Sequence, residues 1–236
     1  MSKTAEERLT PMMRQYRRVK QENPDAILFF RMGDFFEMFF EDAVTAAKIL
    51  GLTLTSRDKN SDAPVPMAGF PHHQHERYMS QLIRAGLRVV ICDQVEDPAL
   101  AKGLVERAIT EIVTPGTAIT DGLLASRENN YLAAVALLKE KAGVALCDVS
   151  TGEFAVDEMA PDKVPEFLDR FHVREILLPE ELDETVAATL LGDSAAGAGR
   201  GRNGNRPAGA AVLTERPAWQ FGAVDGESEL MRHLGL

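Results

Sequence analysis

The chain has 236 residues, is 45% hydrophobic and 26% charged, and carries a formal charge of −10, an ordinary globular composition with length for two domains, each burying its own core. The charged N-terminus MSKTAEERLT has no apolar run behind it, and no stretch approaches about 18 consecutive apolar residues, which excludes a signal peptide and a membrane span from the reading and points to the cytosol. The acid load argues at first against a nucleic-acid partner, but it is unevenly spread: residues 1–115 hold 15 basic and 16 acidic residues, residues 116–236 hold 11 and 20.

In chain order, Thr10-Pro11 is a cap followed by proline at the first helical position, so a helix is expected through MMRQYRRVKQE, stopping near Pro24. It carries the basic run Arg14, Arg17, Arg18 and Lys20. AILFFRMG (26–33) reads as a buried strand. Next comes FFEDAVTAAKILG, expected as an amphipathic helix with Phe40, Val44, Ala47 and Ile49 or Leu50 on one side and Gly51 past its end. LTLTSR (52–57) alternates as a strand, and VPMAGFP (65–71) is a short apolar run bracketed by prolines. HHQHERYMSQLIRAGL reads as a helix closed by glycine, while RVVICDQVE (88–96) and VERAITEIVTPG (105–116) read as strands. One α/β domain over residues 1–116 follows.

The second domain, 117–236, restarts with NNYLAAVALLKE and GVALCDVSTGEFAVDEM, expected as two strands with a hairpin around Ser150-Thr151-Gly152. A helix (DKVPEFLDRFH), a strand (REILLP) and a helix (EELDETVAATLLG) come next. SAAGAGRGRNGNRPAGA (194–210) has no periodicity and reads as a flexible loop. The strand AVLTERP and a helix around GESELMRHL end the chain. Cys92 and Cys147 lie inside apolar runs and are expected as buried thiols rather than a disulfide, and no cysteine or histidine spacing suggests zinc. His72, His73 and His75 sit at a helix start, which favours capping or a solvated face over a metal site.

MGDFFEMFF (32–40) concentrates phenylalanine around one carboxylate: six of the 11 phenylalanines lie between Phe29 and Phe40. Phe29 and Phe30 point to opposite faces of a strand, whereas Phe36, Phe39 and Phe40 are expected to cluster on one side of the following helix. Phe35 and Glu37 then fall at the strand-to-helix junction, from which an aromatic ring and a carboxylate can project side by side.

RMGDFFEMFFEDA resembles the Phe-x-Glu element of the MutS family of DNA mismatch-recognition proteins. TPMMRQY, VPMAGFPHH, ICDQVEDPA and ERAITEIVTPGT resemble other stretches of the same N-terminal domain, in the family's order, and CDVSTGEF and REILLP resemble the connector domain that follows. The resemblance implies an α/β protein of two domains, a mixed-sheet mismatch-recognition domain and a ribonuclease-H-like connector, incomplete at Leu236. It implies that Phe35 is wedged from the minor groove and stacks on a mispaired base, with Glu37 contacting that base. Arg57 and Arg107 match basic positions that reach phosphate or brace the wedge, and Met67, Ala68 and Gly69 match a small loop near the minor groove. The implied partners are double-stranded DNA with mismatches or small loops, a homodimer partner in the full-length family, and a repair protein at the connector. The implied location is the bacterial cytosol, in association with the nucleoid.

No GxxxxGK[ST] occurs, so no ATPase activity is expected of this chain. The family's ATP and Mg²⁺ belong to a C-terminal region beyond it, and the chain reads as a fragment. Two other function classes compete. A nuclease or resolvase built on the second domain would need partner carboxylates for Asp148, and a protein-interaction module would use the acidic half.

Overall fold

The computed structural model describes residues 10–57, 64–96, 103–119, 129–180, 182–192 and 211–235. The expected loop 194–210 lies outside the described residues. The chain divides into two compact units between Thr114 and Pro115, each an α/β structure with its own mixed sheet.

In the first unit, helix α1 (Pro11–Glu22) starts where its cap dictates: the Thr10 hydroxyl accepts from Met13 N at 3.4 Å, and Pro11 stands at the first position. Strand β1 (Ala26–Met32) is followed by a two-residue turn, Gly33-Asp34, with Gly33 at φ 57°, the left-handed conformation that glycine adopts without a Cβ penalty. The turn sends the chain back antiparallel as β2 (Phe35–Phe39), with Met32 opposite Phe35 and Phe30 opposite Glu37. β2 therefore replaces the helical start expected for Phe36. Once the turn folds, the backbone groups of FFEMF are taken up by β1 on one side and by β4 (Val65–Pro71) on the other. Helix α2 (Phe40–Leu50) begins only after a corner at Phe40, whose φ is 54°, and it ends at Gly51 in the left-handed cap expected of it.

A strand alternates faces, so Phe36 and Phe39 point opposite ways rather than clustering together. Phe36 meets Phe29 and Phe70 under α2 and α3 (His75–Arg84), whereas Phe39 packs edge-on against Tyr16 of α1 at 5.0 Å. The sheet order is β3-β4-β2-β1-β5-β6, with β3 at Thr55–Arg57, β5 at Arg88–Gln94 parallel to β1, and β6 at Arg107–Val113. Each fully buried phenylalanine contributes roughly 1.5–3 kcal/mol through area removed from water.

Helix α2 is rotated from its expected phase. Val44, expected inside, is 40% exposed, and the inner face carries Asp42, Ala43, Ala46, Ala47 and Leu50. The cause is polar. Asp42 Oδ2 accepts from Leu28 N at 3.1 Å and from the Tyr16 hydroxyl at 3.2 Å, and Oδ1 accepts from Lys20 Nζ at 2.8 Å. One carboxylate thereby ties α1, β1 and α2 together. The Tyr16 oxygen also accepts from Phe39 N at 3.3 Å, which fixes the end of β2.

In the second unit, β7 (Tyr131–Leu138), β8 (Lys141–Asp148) and β9 (Glu153–Met159) form an antiparallel meander. Three strands stand where two were expected: besides the Ser150–Gly152 turn, a tight turn at Lys139, φ 60°, separates β7 from β8. β10 (Glu175–Pro179) adds parallel to β7, and β11 (Val212–Arg216) adds parallel to β10, giving the order β11-β10-β7-β8-β9. This is the topology of the ribonuclease-H-like expectation. Helices α4 (Val164–Arg170) and α5 (Glu184–Leu191) cover one face, and α6 (Ala223–Leu234) follows β11. No described helix is long and apolar enough to cross a membrane. Cys92 is a buried free thiol, as expected, and Cys147 is also free but only half-buried; burial pushes the Cys92 thiol up to about 11.

Candidate nucleic-acid interface

Phe35 opens β2 immediately after the hairpin turn and is 47% exposed, whereas Phe36 is 2% and Phe39 0% exposed. Three phenylalanines of one strand thus divide into two that build the core and one that does not. Phe35 is paired on both flanks, with Met32 of β1 and Pro71 of β4. Its ring is displayed from fixed backbone, not from a loop.

Glu37 lies two residues along, on the same side of the sheet as Phe35 by the strand's period of two. Opposite it in β4 is Gly69. A Cβ on Gly69 would lie 3.0 Å from the Phe36 carbonyl oxygen and 3.4 Å from Glu37 Cγ, so glycine makes room for the Glu37 stem. Glu37 is half-buried, and its Oε2 is sealed from water with no hydrogen-bond donor among the described residues. Arg57 Nη1 comes to 4.0 Å, within ion-pair range but beyond hydrogen-bond reach. Burial raises the Glu37 carboxyl above its ordinary value, against a weaker downward pull from Arg57.

The remaining expected residues separate under the register. Met67 and Gly69 share the Phe35–Glu37 side of the sheet, but Ala68 pairs with Met38 on the other side and is 1% exposed. Its side chain is core and is not presented to a partner. Arg57, at the end of β3 opposite Val65, joins the Glu37 side. Arg107 has its guanidinium engaged within the unit. Nε donates to Arg31 O at 2.7 Å, Nη1 donates to Gln15 Oε1 at 3.1 Å and Val105 O at 2.8 Å, and the group lies 4.9 Å over the Phe30 ring. Of the two roles expected for it, the geometry favours bracing: Arg107 holds the end of β1 from which the hairpin springs. Burial lowers its basicity, against the opposing pull of neighbouring Cys92 and Asp93.

Tyr16, Lys20 and Asp42 support this edge and escaped the sequence reading. The available signal was an aspartate at position 42 in an otherwise apolar helix face. Asp148, the nuclease-like candidate of the second unit, is fully buried at the end of β8, just before the Ser150–Gly152 turn. Its oxygens accept from Ser150 N at 2.9 Å, Ser150 Oγ at 2.6 Å, Thr151 N at 3.4 Å and Asn130 N at 3.0 Å. Burial alone would raise that carboxyl, but these donors outweigh it and hold it below the usual range. Among the described residues no cluster of three histidine, cysteine or acidic side chains is arranged to hold a metal.

Two family models match the chain: MutS domain I over residues 10–122 and MutS domain II over residues 130–235. A protein of Solibacter usitatus named DNA mismatch repair protein MutS is 55% identical over 173 residues, 73% of this chain and 20% of that protein. The protein of the same name from Chlorobium phaeobacteroides is 49% identical over 232 residues, covering 95% and 25%. That of Rhodopirellula baltica is 42% identical over 248 residues, covering 97% and 26%. The chain spans about a quarter of the length of these relatives.

Proposed function

The chain belongs to the MutS family, and on that premise we propose that its first unit senses mismatched base pairs in duplex DNA, with Phe35 as an aromatic wedge and Glu37 as the group that meets the mispaired base. The observation that carries this reading is the exposure of Phe35 on a strand whose neighbouring phenylalanines are sealed in the core. The ring is about half in solvent on a backbone fixed by pairing on both flanks, so its face is available to a partner.

The physics of the wedge supplies the discrimination. Inserting an apolar side chain from the minor groove costs a few kcal/mol of unstacking and kinks the duplex. Stacking a base on the ring returns roughly 1–3 kcal/mol whatever the base. A mispaired step is already poorly stacked and easily bent, so the cost falls there while the gain stays the same, and recognition proceeds through deformability. That mechanism suits a protein facing many different mismatches and small loops.

Glu37 sharpens the choice. A carboxylate near phosphates is repelled, and this one is already raised by burial. It helps where it accepts from an exposed base donor, or donates as the neutral acid. Against intact duplex it offers neither bond and retains the repulsion. Arg57 stands on the same side of the sheet, where its cation is suited to a phosphate, and Met67 and Gly69 form the surface beside it.

The acidic second unit, under the same reading, is a connector that contacts a repair protein. The homodimer, together with ATP and Mg²⁺, belongs to the remaining length of the family protein, which works at the nucleoid; this chain binds DNA without catalysis. Fluorescence anisotropy with a G·T-mismatched and a matched duplex, at stated salt, tests the proposal. Tighter binding to the mismatch supports it, equal binding overturns it, and added Mg²⁺ leaves both duplexes uncut.

A further inference from the structure

We propose that His72 is a second DNA contact beside the wedge, one that forms when its imidazole is protonated and its Nε2–H donates to a phosphate oxygen of the duplex. The inference rests on the wedge reading for the direction from which DNA arrives, and on the following geometry for the rest.

His72 follows Pro71, the β4 partner of Phe35, and stands across from Asp34, the residue before the wedge. Two bonds fix it there: its backbone N–H donates to the Asp34 carbonyl at 2.8 Å, and its ring Nδ1 meets the same oxygen at 3.1 Å. A carbonyl can only accept, so Nδ1 carries a hydrogen in this contact. The tautomer is thereby set, and Nε2 on the far side of a half-exposed ring has no partner among the described residues. In the neutral ring Nε2 is an acceptor and has nothing to offer a phosphate. One proton turns it into a cationic donor without moving the ring.

The charged and titratable groups around it bear on both states. Asp34 meets His72 through its backbone carbonyl. Arg31 is engaged on its own strand: its Nε donates to the Gly33 carbonyl and its Nη1 lies 3.6 Å from Asp93 Oδ2. The His73 ring is 5.9 Å away, His75 donates from Nδ1 to the His72 carbonyl at 3.0 Å, and Glu76 stands in the first turn of α3.

The test measures affinity for a G·T-mismatched duplex as a function of salt at about pH 6 and about pH 8, for the chain and for His72→Gln. One protonated side chain on one phosphate steepens the slope of log K against log salt by about 0.9 at the lower pH. It tightens binding by up to about tenfold, and His72→Gln removes this increment. Protonation of Glu37 is common to both proteins and cancels in their difference, and His73→Gln leaves the increment in place. An increment retained in His72→Gln, or absent from the unaltered chain, overturns the proposal. A proton-linked slope without mismatch preference counts for the histidine and against the wedge; preference without the slope counts the other way.

Discussion

In the second unit Asp148 is fully buried, and its oxygens take donors from Ser150, Thr151 and Asn130. In the first unit Glu37 is half-buried with its Oε2 sealed from water, yet that oxygen takes none among the described residues, and the Arg57 cation stands off at 4.0 Å. The satisfied carboxylate ends β8 and ties the following turn to Asn130. The unsatisfied one keeps Oε2 buried without a donor among the described residues, a desolvation that costs the fold free energy. Asp42 lies between these cases: buried like Asp148, fully bonded to Leu28, Tyr16 and Lys20, and directed at fixing the edge on which Glu37 stands.

This contrast breaks if satisfied and unsatisfied carboxylates respond alike to removal. Asp148→Ala strands the Asn130, Ser150 and Thr151 donors together and is expected to lower the stability of the second unit by about 3 kcal/mol, read as a shift of its denaturant midpoint. Asp42→Ala leaves Lys20 and Tyr16 without their acceptor and is expected to cost the first unit about 2–3 kcal/mol, read the same way. Glu37→Gln is expected to stabilise the first unit by up to about 1 kcal/mol, because an isosteric amide carries no buried charge.

The pH dependence sharpens the same contrast, because the two groups shift in opposite directions. Glu37 is raised by burial, so its neutral form favours folding. That stability is fully present below the unfolded carboxyl value and is lost as pH rises through the folded one. Asp148 is lowered because its bonds outweigh burial, so its stability is present above the unfolded value and lost as pH falls through the folded one. Glu37→Gln removes the first slope and leaves the second, which pH-dependent melting of each unit resolves. In binding, the same substitution removes repulsion from intact duplex. It tightens matched DNA and narrows the mismatch/match ratio; an unchanged ratio would contradict the role given to Glu37.

Most elements could be read from the chain because their signals are local: Thr10-Pro11 opens α1, Gly51 closes α2, and short apolar runs mark β5 and β10. β2 was not readable, because FFEMFF is apolar at nearly every position and shows neither a period of two nor one of 3.6. The Gly33-Asp34 turn decides it, through pairing that sequence spacing does not display. The phase of α2 was hidden for a related reason: a buried acid overrides the apolar stripe once Leu28, Tyr16 and Lys20 converge on it. At the candidate interface, Phe35 and Glu37 were found through their resemblance to a family element, whereas Ala68 could be set apart from Met67 and Gly69 only by strand register. Arg107 carried two expected roles, and its bonding to Arg31, Gln15 and Val105 is a set that sequence spacing does not display.

The most direct test replaces Phe35 with alanine and compares matched with G·T-mismatched duplex by anisotropy, alongside thermal unfolding. Because the ring is half in solvent, the melting temperature should hold, while mismatch preference falls by roughly ten- to a hundredfold, the loss of one stacked base. Preference for the mismatch surviving in Phe35→Ala would contradict the account.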